Sequence, residues 1–397
     1  MIAPPLSLYV HLPWCVRKCP YCDFNSHTAG EGAPRERYLD ALLVDLEGEA
    51  LRAAGRRLQS VFLGGGTPSL FSPGEIERLL DGVRACFDLA DGAEITMEAN
   101  PGTVECGQPA GYRDAGVNRL SFGGQSFDDE LLKKIGRIHS SEDIVRAVDD
   151  ARAAGIDNIN IDLMHGLPGQ GVEAALEDLE CAISLAPTHI SWYQLTLEPN
   201  TIFFARPPQD LPEEETLHAI QDRGQALLAK SGYRQYEVSA FARDGRVCEH
   251  NLNYWLFGDY LAAGAGAHGK ISDTRGVFRY QKPANPLQYM TAIEAGRQGA
   301  AAIRVAPPDL VFEFMLNALR LNDGFGELVF CERTGLSGPE LQTIMRGVRE
   351  KGLVERVDES RWQATPLGRR FLNDLQAEFL PARARSRRNG GGAGLSR

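Results

Sequence analysis

Short strand-like runs recur along the first half of the chain, and each ends abruptly before a helical segment begins. These runs cover residues 6–10, 60–63, 94–98, 119–122, 159–163 and 189–197. The segments between them carry apolar residues at helical spacing, as in Val172, Leu176, Leu179 and Ile183. Six strand–helix units at a spacing of roughly 35 residues predict an α/β fold with parallel strands and right-handed crossovers. Periodicity alone leaves open a partial six-unit barrel or an open doubly wound sheet.

Three cysteines, Cys15, Cys19 and Cys22, lie within eight residues directly after the first strand. A tetrahedral zinc site would need a fourth ligand close by, and the nearby Asp23 and His27 are poor substitutes for a thiolate. Three soft sulfur ligands with one missing corner favour an iron–sulfur cluster with an open iron. A zinc knuckle, a thioredoxin-type pair and three unrelated thiols remain alternatives on spacing alone.

The cysteine spacing, the aromatic residue before the last thiol and the lead-in run LYVH resemble the radical S-adenosylmethionine (SAM) superfamily. Within it, the runs CPYCDFNSH and HNLNYW resemble the HemW family of heme chaperones, relatives of oxygen-independent coproporphyrinogen oxidase. The resemblance extends from about residue 6 to about residue 375. It implies a partial (β/α)6 radical SAM barrel, a [4Fe-4S] cluster on Cys15, Cys19 and Cys22, and bound S-adenosylmethionine.

The same resemblance implies a set of S-adenosylmethionine contacts at or near the carboxyl ends of the strands, where the working loops of such folds lie. The matching positions in this chain are Tyr9, Tyr21, Gly66, Thr67, Glu98, Gln125, Arg137 and Asp162. An arginine suits a carboxylate because its fork binds bidentately. Each of these residues, taken alone, is also compatible with an ordinary polar position at a strand end.

The segment HNLNYW places His250 beside Tyr254 and Trp255. Imidazole is a common axial ligand of heme iron, and aromatic side chains cover porphyrin faces well. In the HemW family this motif is implicated in heme binding, which makes His250 the candidate ligand. A histidine bonded within a polar turn is the alternative, and Cys248 and His268 are weaker ligand candidates.

The chain divides into four predicted parts. Residues 1–235 form the barrel with the cluster and S-adenosylmethionine sites, and residues 236–308 an accessory segment with a strand at 236–241 and a connector from 283. Residues 309–380 carry helix signals and a small ribbon at 354–364, which predicts a C-terminal helical, winged-helix-like domain. The basic, glycine-rich tail 381–397 is predicted to be disordered, because it has too little apolar surface to bury.

The net charge of −11 disfavours a broad surface for nucleic acid, so a packing or docking role for the C-terminal domain is preferred. No run reaches the length of a membrane span, which leaves peripheral membrane association at most. Eight cysteines without a secretory signal favour the cytoplasm, where thiols are metal ligands or small buried residues.

Three functions follow as hypotheses. The first is a heme chaperone that binds heme through His250 and delivers it to client hemoproteins such as respiratory enzymes, with a homodimer possible. The second is an oxygen-independent coproporphyrinogen III dehydrogenase, which is not expected because those enzymes carry a further cysteine where this chain has Phe24, and a longer N-terminal extension. The third is a radical enzyme that modifies nucleic acid.

Overall fold

The computed structural model describes residues 3–30, 32–102, 109–297 and 301–381, so the predicted disordered tail lies almost entirely outside the described residues. The strands are β1 (Leu6–Leu12), β2 (Trp14–Cys15), β3 (His27–Thr28), β4 (Leu58–Gly65), β5 (Leu89–Ala99), β6 (Arg119–Gln125), β7 (Asn158–His165), β8 (His189–Gln194), β9 (Arg234–Glu237), β10 (Ala240–Ala242), β11 (Asp259–Ala263), β12 (His268–Asp273), β13 (Gly276–Gln281), β14 (Ile303–Arg304), β15 (Phe325–Gly326), β16 (Val354–Arg356) and β17 (Arg361–Ala364). The helices are α1 (Arg35–Ala53), α2 (Pro73–Cys86), α3 (Pro109–Ala115), α4 (Asp129–Lys134), α5 (Ser141–Ala153), α6 (Val172–Ser184), α7 (Ile202–Ala205), α8 (Glu214–Lys230), α9 (Glu249–Trp255), α10 (Pro286–Glu294), α11 (Pro307–Ala318), α12 (Glu327–Thr334), α13 (Gly338–Glu350), α14 (Pro366–Arg370) and α15 (Leu372–Ala377).

One large sheet organises the molecule. Its strand order is β14-β13-β12-β11-β1-β4-β5-β6-β7-β8-β10-β9. The six predicted strands all form and lie side by side in parallel, as β1 and β4 to β8. A seventh parallel strand, β11, pairs with the other side of β1 and was not predicted. The sheet is open, with antiparallel extensions at both edges, which agrees with a partial rather than a closed barrel.

The two faces of the parallel strands differ in polarity because successive side chains point to opposite faces. In β1, Leu6, Leu8 and Val10 belong to the apolar core that packs against helices such as α1, whose Leu39 and Leu42 are fully buried. The alternate residues of the same strands are largely polar. On the inner face these are Ser7, Tyr9, His11, Ser60, Glu94, Thr96, Glu98, Arg119, Ser121, Asn160, Asp162, His189 and Ser191. The helix-covered face thus forms the apolar core, and the inner face presents polar side chains that can contact ligands.

The accessory segment differs from its predicted form in two places. The single strand predicted over 236–241 is two antiparallel strands, β9 and β10, because the chain reverses at residues 238–239, where the Ser239 amide donates to the Glu237 carboxylate over 3.1 Å. The predicted connector contains helix α10. Asn285 caps this helix by accepting hydrogen bonds from the next two free amides, and Pro286 follows at its first position.

The last part of the chain builds a second core. Helices α11 to α15 surround a small sheet of order β15-β17-β16, and buried residues such as Phe314, Phe330 and Trp362 fill the space between them. The predicted helices and ribbon therefore occur in the predicted order. Across the described residues, none of the helices has both the length and the apolar character that a membrane crossing requires.

Candidate active site and adjoining cavity

The cysteine loop lies at the carboxyl end of β1, between the short paired strands β2 and β3. The Ala29 amide donates to the Cys15 carbonyl over 2.8 Å, and the Cys22 amide donates to the Cys19 carbonyl over 3.1 Å, which forms a tight turn. Cys15, Cys19 and Cys22 all line one cavity of about 140 Å³. The loop thus turns its three thiols towards a shared space.

Polar groups surround these thiols. Arg137 reaches the Sγ atom of Cys19 with Nη1 over 3.5 Å, and the Sγ atom of Cys22 lies 3.7 Å from the Ser26 hydroxyl. Burial raises the pKa of Cys15 and of Cys22, so binding of a metal there must release protons. Among the described residues, no group of three His, Cys, Asp or Glu side chains is arranged to hold a single metal ion.

The glycine turn after β4 lies against the start of the cysteine loop. The Gly66 amide donates to the Leu12 carbonyl over 2.8 Å, and the Thr67 amide donates to the Trp14 carbonyl over 2.7 Å. A Cβ atom on Gly66 would lie 2.5 Å from the Trp14 carbonyl oxygen, which is far inside contact distance. Only glycine therefore permits the two loops to meet, and Gly66 and Thr67 line the same cavity as the thiols.

Two buried carboxylates face this cavity from β5 and β7. Glu98 accepts a hydrogen bond from the Gly65 amide, and burial, reinforced by the charge of Asp162, raises the pKa of Glu98 to about 7. Asp162 accepts from the Asn160 amide over 2.8 Å and from the Ser121 hydroxyl over 3.2 Å. Burial raises the pKa of Asp162 despite these bonds. Buried carboxyl groups with raised pKa values are typical of sites where the polar groups of a ligand bind.

The remaining predicted contacts meet at the same place. Gln125 has the left-handed φ of 62°, and its buried Oε1 atom has no hydrogen-bond partner among the described residues. Arg137 donates to the Gly123 carbonyl over 2.8 Å and contacts Asn100. The ring of Tyr21 packs 6.4 Å from that of Phe203 and lines the cavity. Three thiols, a glycine cradle and an unpaired acceptor fit a cluster with S-adenosylmethionine, and those ligand roles stay predictions.

A larger cavity of about 730 Å³ continues from the first over the inner face of the sheet. The two share Phe24, Gly65, Glu98, Ser121 and Asp162 in their walls. Of the predicted contacts, Tyr9 lies in this second space rather than beside the thiols. The volume falls in the range of sites that hold cofactor-sized molecules.

Helix α9 carries HNLNYW and forms one wall of the larger cavity. His250, Tyr254 and Trp255 all line the space, together with the alternative ligand His268. His250 is buried, its Nδ1 atom lies 3.0 Å from the Ser60 hydroxyl, and its Nε2 atom lies 3.0 Å from the Tyr254 hydroxyl. Burial, with a smaller contribution from the Arg119 charge, lowers the pKa of His250 to about 3, so the imidazole is neutral.

Cys248, the other ligand candidate near the motif, lies behind the cavity wall. Its thiol contacts a Glu94 carboxylate oxygen over 3.5 Å, and burial raises its pKa to about 12. Glu94 also accepts from the backbone amides of Glu249 and His250, both over 3.3 Å, at the first turn of α9. Cys248 and Glu94 therefore anchor the helix that presents His250.

The floor of the larger cavity was not predicted from the sequence. Arg119 is almost fully buried there, with its Nε atom 3.7 Å from a Glu94 carboxylate oxygen and without a hydrogen-bond partner in the described part of the chain. Asn160 and Ser191 line the same cavity. These residues occupy alternate positions of the predicted strands, so the period-two polar pattern was the available signal.

Comparisons with known proteins agree with this arrangement. A family model described as the radical SAM superfamily matches residues 9–182. The heme chaperone HemW of Escherichia coli (strain K12) is 48% identical over 379 residues, covering 95% of this chain and 98% of that protein. The heme chaperone HemW of Haemophilus influenzae is 47% identical over 383 residues, covering 95% and 98%.

Among solved structures, coproporphyrinogen III oxidase (HemN) from Escherichia coli, a radical SAM enzyme, superposes with a TM-score of 0.80 at 27% identity, over 95% of this chain and 90% of that one. The resemblance inferred from the motifs is thereby confirmed over nearly the whole length. The chain belongs to the HemW family of heme chaperones within the radical SAM superfamily.

Proposed function

We propose that this protein binds heme in the larger cavity through His250 and transfers it to client hemoproteins such as respiratory enzymes. The observation that carries the proposal is that His250, Tyr254 and Trp255 line a cavity of about 730 Å³. A neutral imidazole at the wall of a partly aromatic space is the environment in which heme iron finds an axial ligand. The names of the two HemW relatives support the same function.

The proposal includes a [4Fe-4S] cluster on Cys15, Cys19 and Cys22, with S-adenosylmethionine beside it. When bound, this pair would supply reductive cleavage of a carbon–sulfur bond of S-adenosylmethionine, with one electron from an external low-potential reductant. Glu98, Asp162, Gln125 and Arg137 would bind and orient the polar groups of S-adenosylmethionine, and Thr67 and Tyr21 would enclose it. Because the two cavities share a wall, a molecule bound in the smaller one would lie next to heme bound in the larger one.

An anaerobic heme titration of the cluster-reconstituted protein tests the proposal, with the Soret band as the readout. We expect stoichiometric, saturable binding, and loss or spectral alteration of that binding in His250→Ala. His268→Ala tests the alternative ligand in the same cavity. His218→Ala, on α8 and outside this cavity, is the matched control. Weak binding that never saturates and is equal in all four proteins would contradict the proposal.

Transfer is tested separately. Heme-loaded protein is mixed with an apo-hemoprotein of a respiratory enzyme, and the appearance of the holoprotein spectrum is followed. We expect transfer in a mixture without membranes or nucleic acid, because we take the protein to be cytoplasmic, with at most peripheral membrane contact. It would act alone or as a homodimer. Heme that leaves only at the rate of spontaneous dissociation, whatever the acceptor concentration, would count against a chaperone.

The second candidate is coproporphyrinogen III dehydrogenase activity, which the likeness to HemN favours. The position that carries a further cysteine in those enzymes is Phe24 here, and its side chain is exposed where the two cavities meet. We therefore expect no protoporphyrinogen IX from coproporphyrinogen III, S-adenosylmethionine and a low-potential reductant. Multiple turnovers under these conditions would establish the enzyme instead.

A further inference from the structure

We infer that the hydroxyl pair Ser7–Ser60 holds His250 in the tautomer protonated at Nδ1, that Nε2 is therefore the iron-binding nitrogen, and that the Tyr254 hydroxyl covers this nitrogen until heme displaces it. The inference rests on the proposed function, because it concerns how the heme site is prepared. It assigns positioning roles to two serines that lie outside the motif.

The first step concerns the direction of the hydrogen bonds. Ser7 and Ser60 are directly opposite each other on β1 and β4, and both are fully buried. Their oxygens lie 2.9 Å apart, and we assign the Ser60 hydroxyl as the donor and the Ser7 oxygen as the acceptor. A serine hydroxyl carries a single proton, so Ser60 can only accept from the imidazole of His250. The Nδ1 atom of His250, 3.0 Å away, must therefore carry the ring proton.

The second step concerns the other ring nitrogen. A neutral imidazole protonated at Nδ1 has its lone pair on Nε2. The Tyr254 hydroxyl lies 3.0 Å from Nε2 and so donates to that lone pair. Tyr254 follows His250 by one helical turn on α9, with the two rings edge to face at 4.9 Å, and both side chains line the cavity. Iron can bond to Nε2 only after this hydroxyl has moved away.

The arrangement has the form of a histidine ligand oriented from behind. In a metal-binding histidine, the hydrogen-bond partner of the ring nitrogen that does not bind the metal fixes the tautomer and the ring orientation. Here that partner lies on strand β4 of the central sheet, while the covering hydroxyl comes from the same helix as the histidine. The ring of Phe62, stacked at 5.0 Å from His250, further restricts imidazole rotation. The ligand atom is thus prepared but covered.

The first experiment removes the cover alone. In Tyr254→Phe the ring remains and only the hydroxyl is lost, so heme no longer displaces a hydrogen bond, and we expect binding about fivefold tighter by Soret titration. Tyr233→Phe is the matched control, because its buried hydroxyl donates to the Pro187 carbonyl over 2.8 Å and Tyr233 does not line the cavity. Equal or weaker binding in Tyr254→Phe than in the control would overturn the covering role.

The second experiment reads the tautomer without heme. Protein with ¹⁵N-labelled histidine is examined by NMR, and His250 is assigned by its absence in His250→Ala. We expect the proton on Nδ1 in the wild type. In Ser7→Ala the Ser60 hydroxyl loses its acceptor and turns to His250, so the ring proton moves to Nε2 and heme affinity falls by about 10- to 100-fold.

The two readouts separate this inference from the proposed function. A proton on Nε2 in the wild type, or an identical tautomer in Ser7→Ala and the wild type, would overturn the inference even if heme binding depends on His250. Failure of all proteins to bind heme would overturn the proposed function and leave the tautomer measurement interpretable. Ser60→Ala checks the same step from the other side, because removal of the acceptor should leave a mixture of tautomers.

Discussion

The carboxylate of Glu98 accepts a hydrogen bond from the backbone amide of Gly65 over 3.0 Å. This contact joins the carboxyl ends of the neighbouring strands β4 and β5, and so fixes the glycine turn relative to the acid that faces the cavity. Burial raises the pKa of Glu98 to about 7. The single hydrogen bond from the Gly65 amide therefore does not offset the loss of hydration of the carboxylate. The site therefore holds a carboxyl group close to its titration point.

The first prediction concerns the pH dependence of stability. Below about pH 4.5 Glu98 is protonated in both the folded and the unfolded chain. Between about 4.5 and about 7 only the folded state keeps the proton, so the free energy of unfolding falls as the pH rises through this range. Glu98→Gln lacks this term, and its stability relative to wild type should rise by up to about 3 kcal/mol by pH 7 and then level off.

Denaturant unfolding of both proteins from pH 4 to pH 8 measures this difference directly. Glu173→Gln is the control, because that glutamate is exposed and Arg223 lowers its pKa, so its replacement should not produce a rising difference. A difference between wild type and Glu98→Gln that does not change with pH would show that Glu98 titrates normally.

The second prediction concerns the contact between the glycine turn and the cysteine loop. In Gly66→Ala the new methyl group meets the Trp14 carbonyl oxygen at 2.5 Å, so the loops must separate. We expect a loss of about 2 kcal/mol in the free energy of unfolding and reduced iron and sulfide after anaerobic reconstitution. Gly347→Ala is the control, since a Cβ there meets nothing within 4 Å in helix α13. Full iron content in Gly66→Ala would disprove a role in shaping the cluster loop.

The third prediction concerns the cluster ligands. We expect three single variants, Cys15→Ala, Cys19→Ala and Cys22→Ala, each to lose most of the reconstituted iron and the associated visible absorption. The reason is that each thiolate is expected to hold one iron. Cys181→Ala is the matched control, because Cys181 is exposed on α6 and does not line the cavity. Iron retained in any one of the three variants would remove that cysteine from the ligand set.

Much of this arrangement is predictable because it depends on local sequence. The six strands are recognisable by their apolar alternation and by the turns that end them. Of the predicted contact residues, Glu98 and Gln125 lie at the carboxyl ends of β5 and β6, where the fold places its working loops, and Asp162 lies three residues before the end of β7. Strand β11 escaped prediction because its alanine-rich sequence has little strand preference of its own and forms by pairing with β1 across some 250 residues.

The surroundings of His250 could not be read from sequence for a related reason. Ser60 lies 190 residues away from His250 along the chain, and nothing in the local pattern of either residue indicates the other. Arg119 was missed although its strand was found, because attention to strand ends overlooks inward-facing residues farther down the strand. Helix α10, by contrast, was predictable: Asn285 and Pro286 form a helix start signal within the segment that was predicted to be a connector.

The fourth prediction concerns the link between the HNLNYW segment on α9 and the C-terminal helices. Arg320, just after α11, lies over the Trp255 ring at 4.3 Å and also pairs with Glu237 over 2.9 Å. It therefore joins the C-terminal helices to the end of α9 and to strand β9. In Arg320→Ala we expect faster amide hydrogen exchange in α9 and a stability loss of about 1 kcal/mol. The control Arg275→Ala removes an exposed arginine whose contacts with Asp273 and the Phe278 ring are local. If exchange in α9 is the same in both variants, the C-terminal helices do not hold the HNLNYW segment in place.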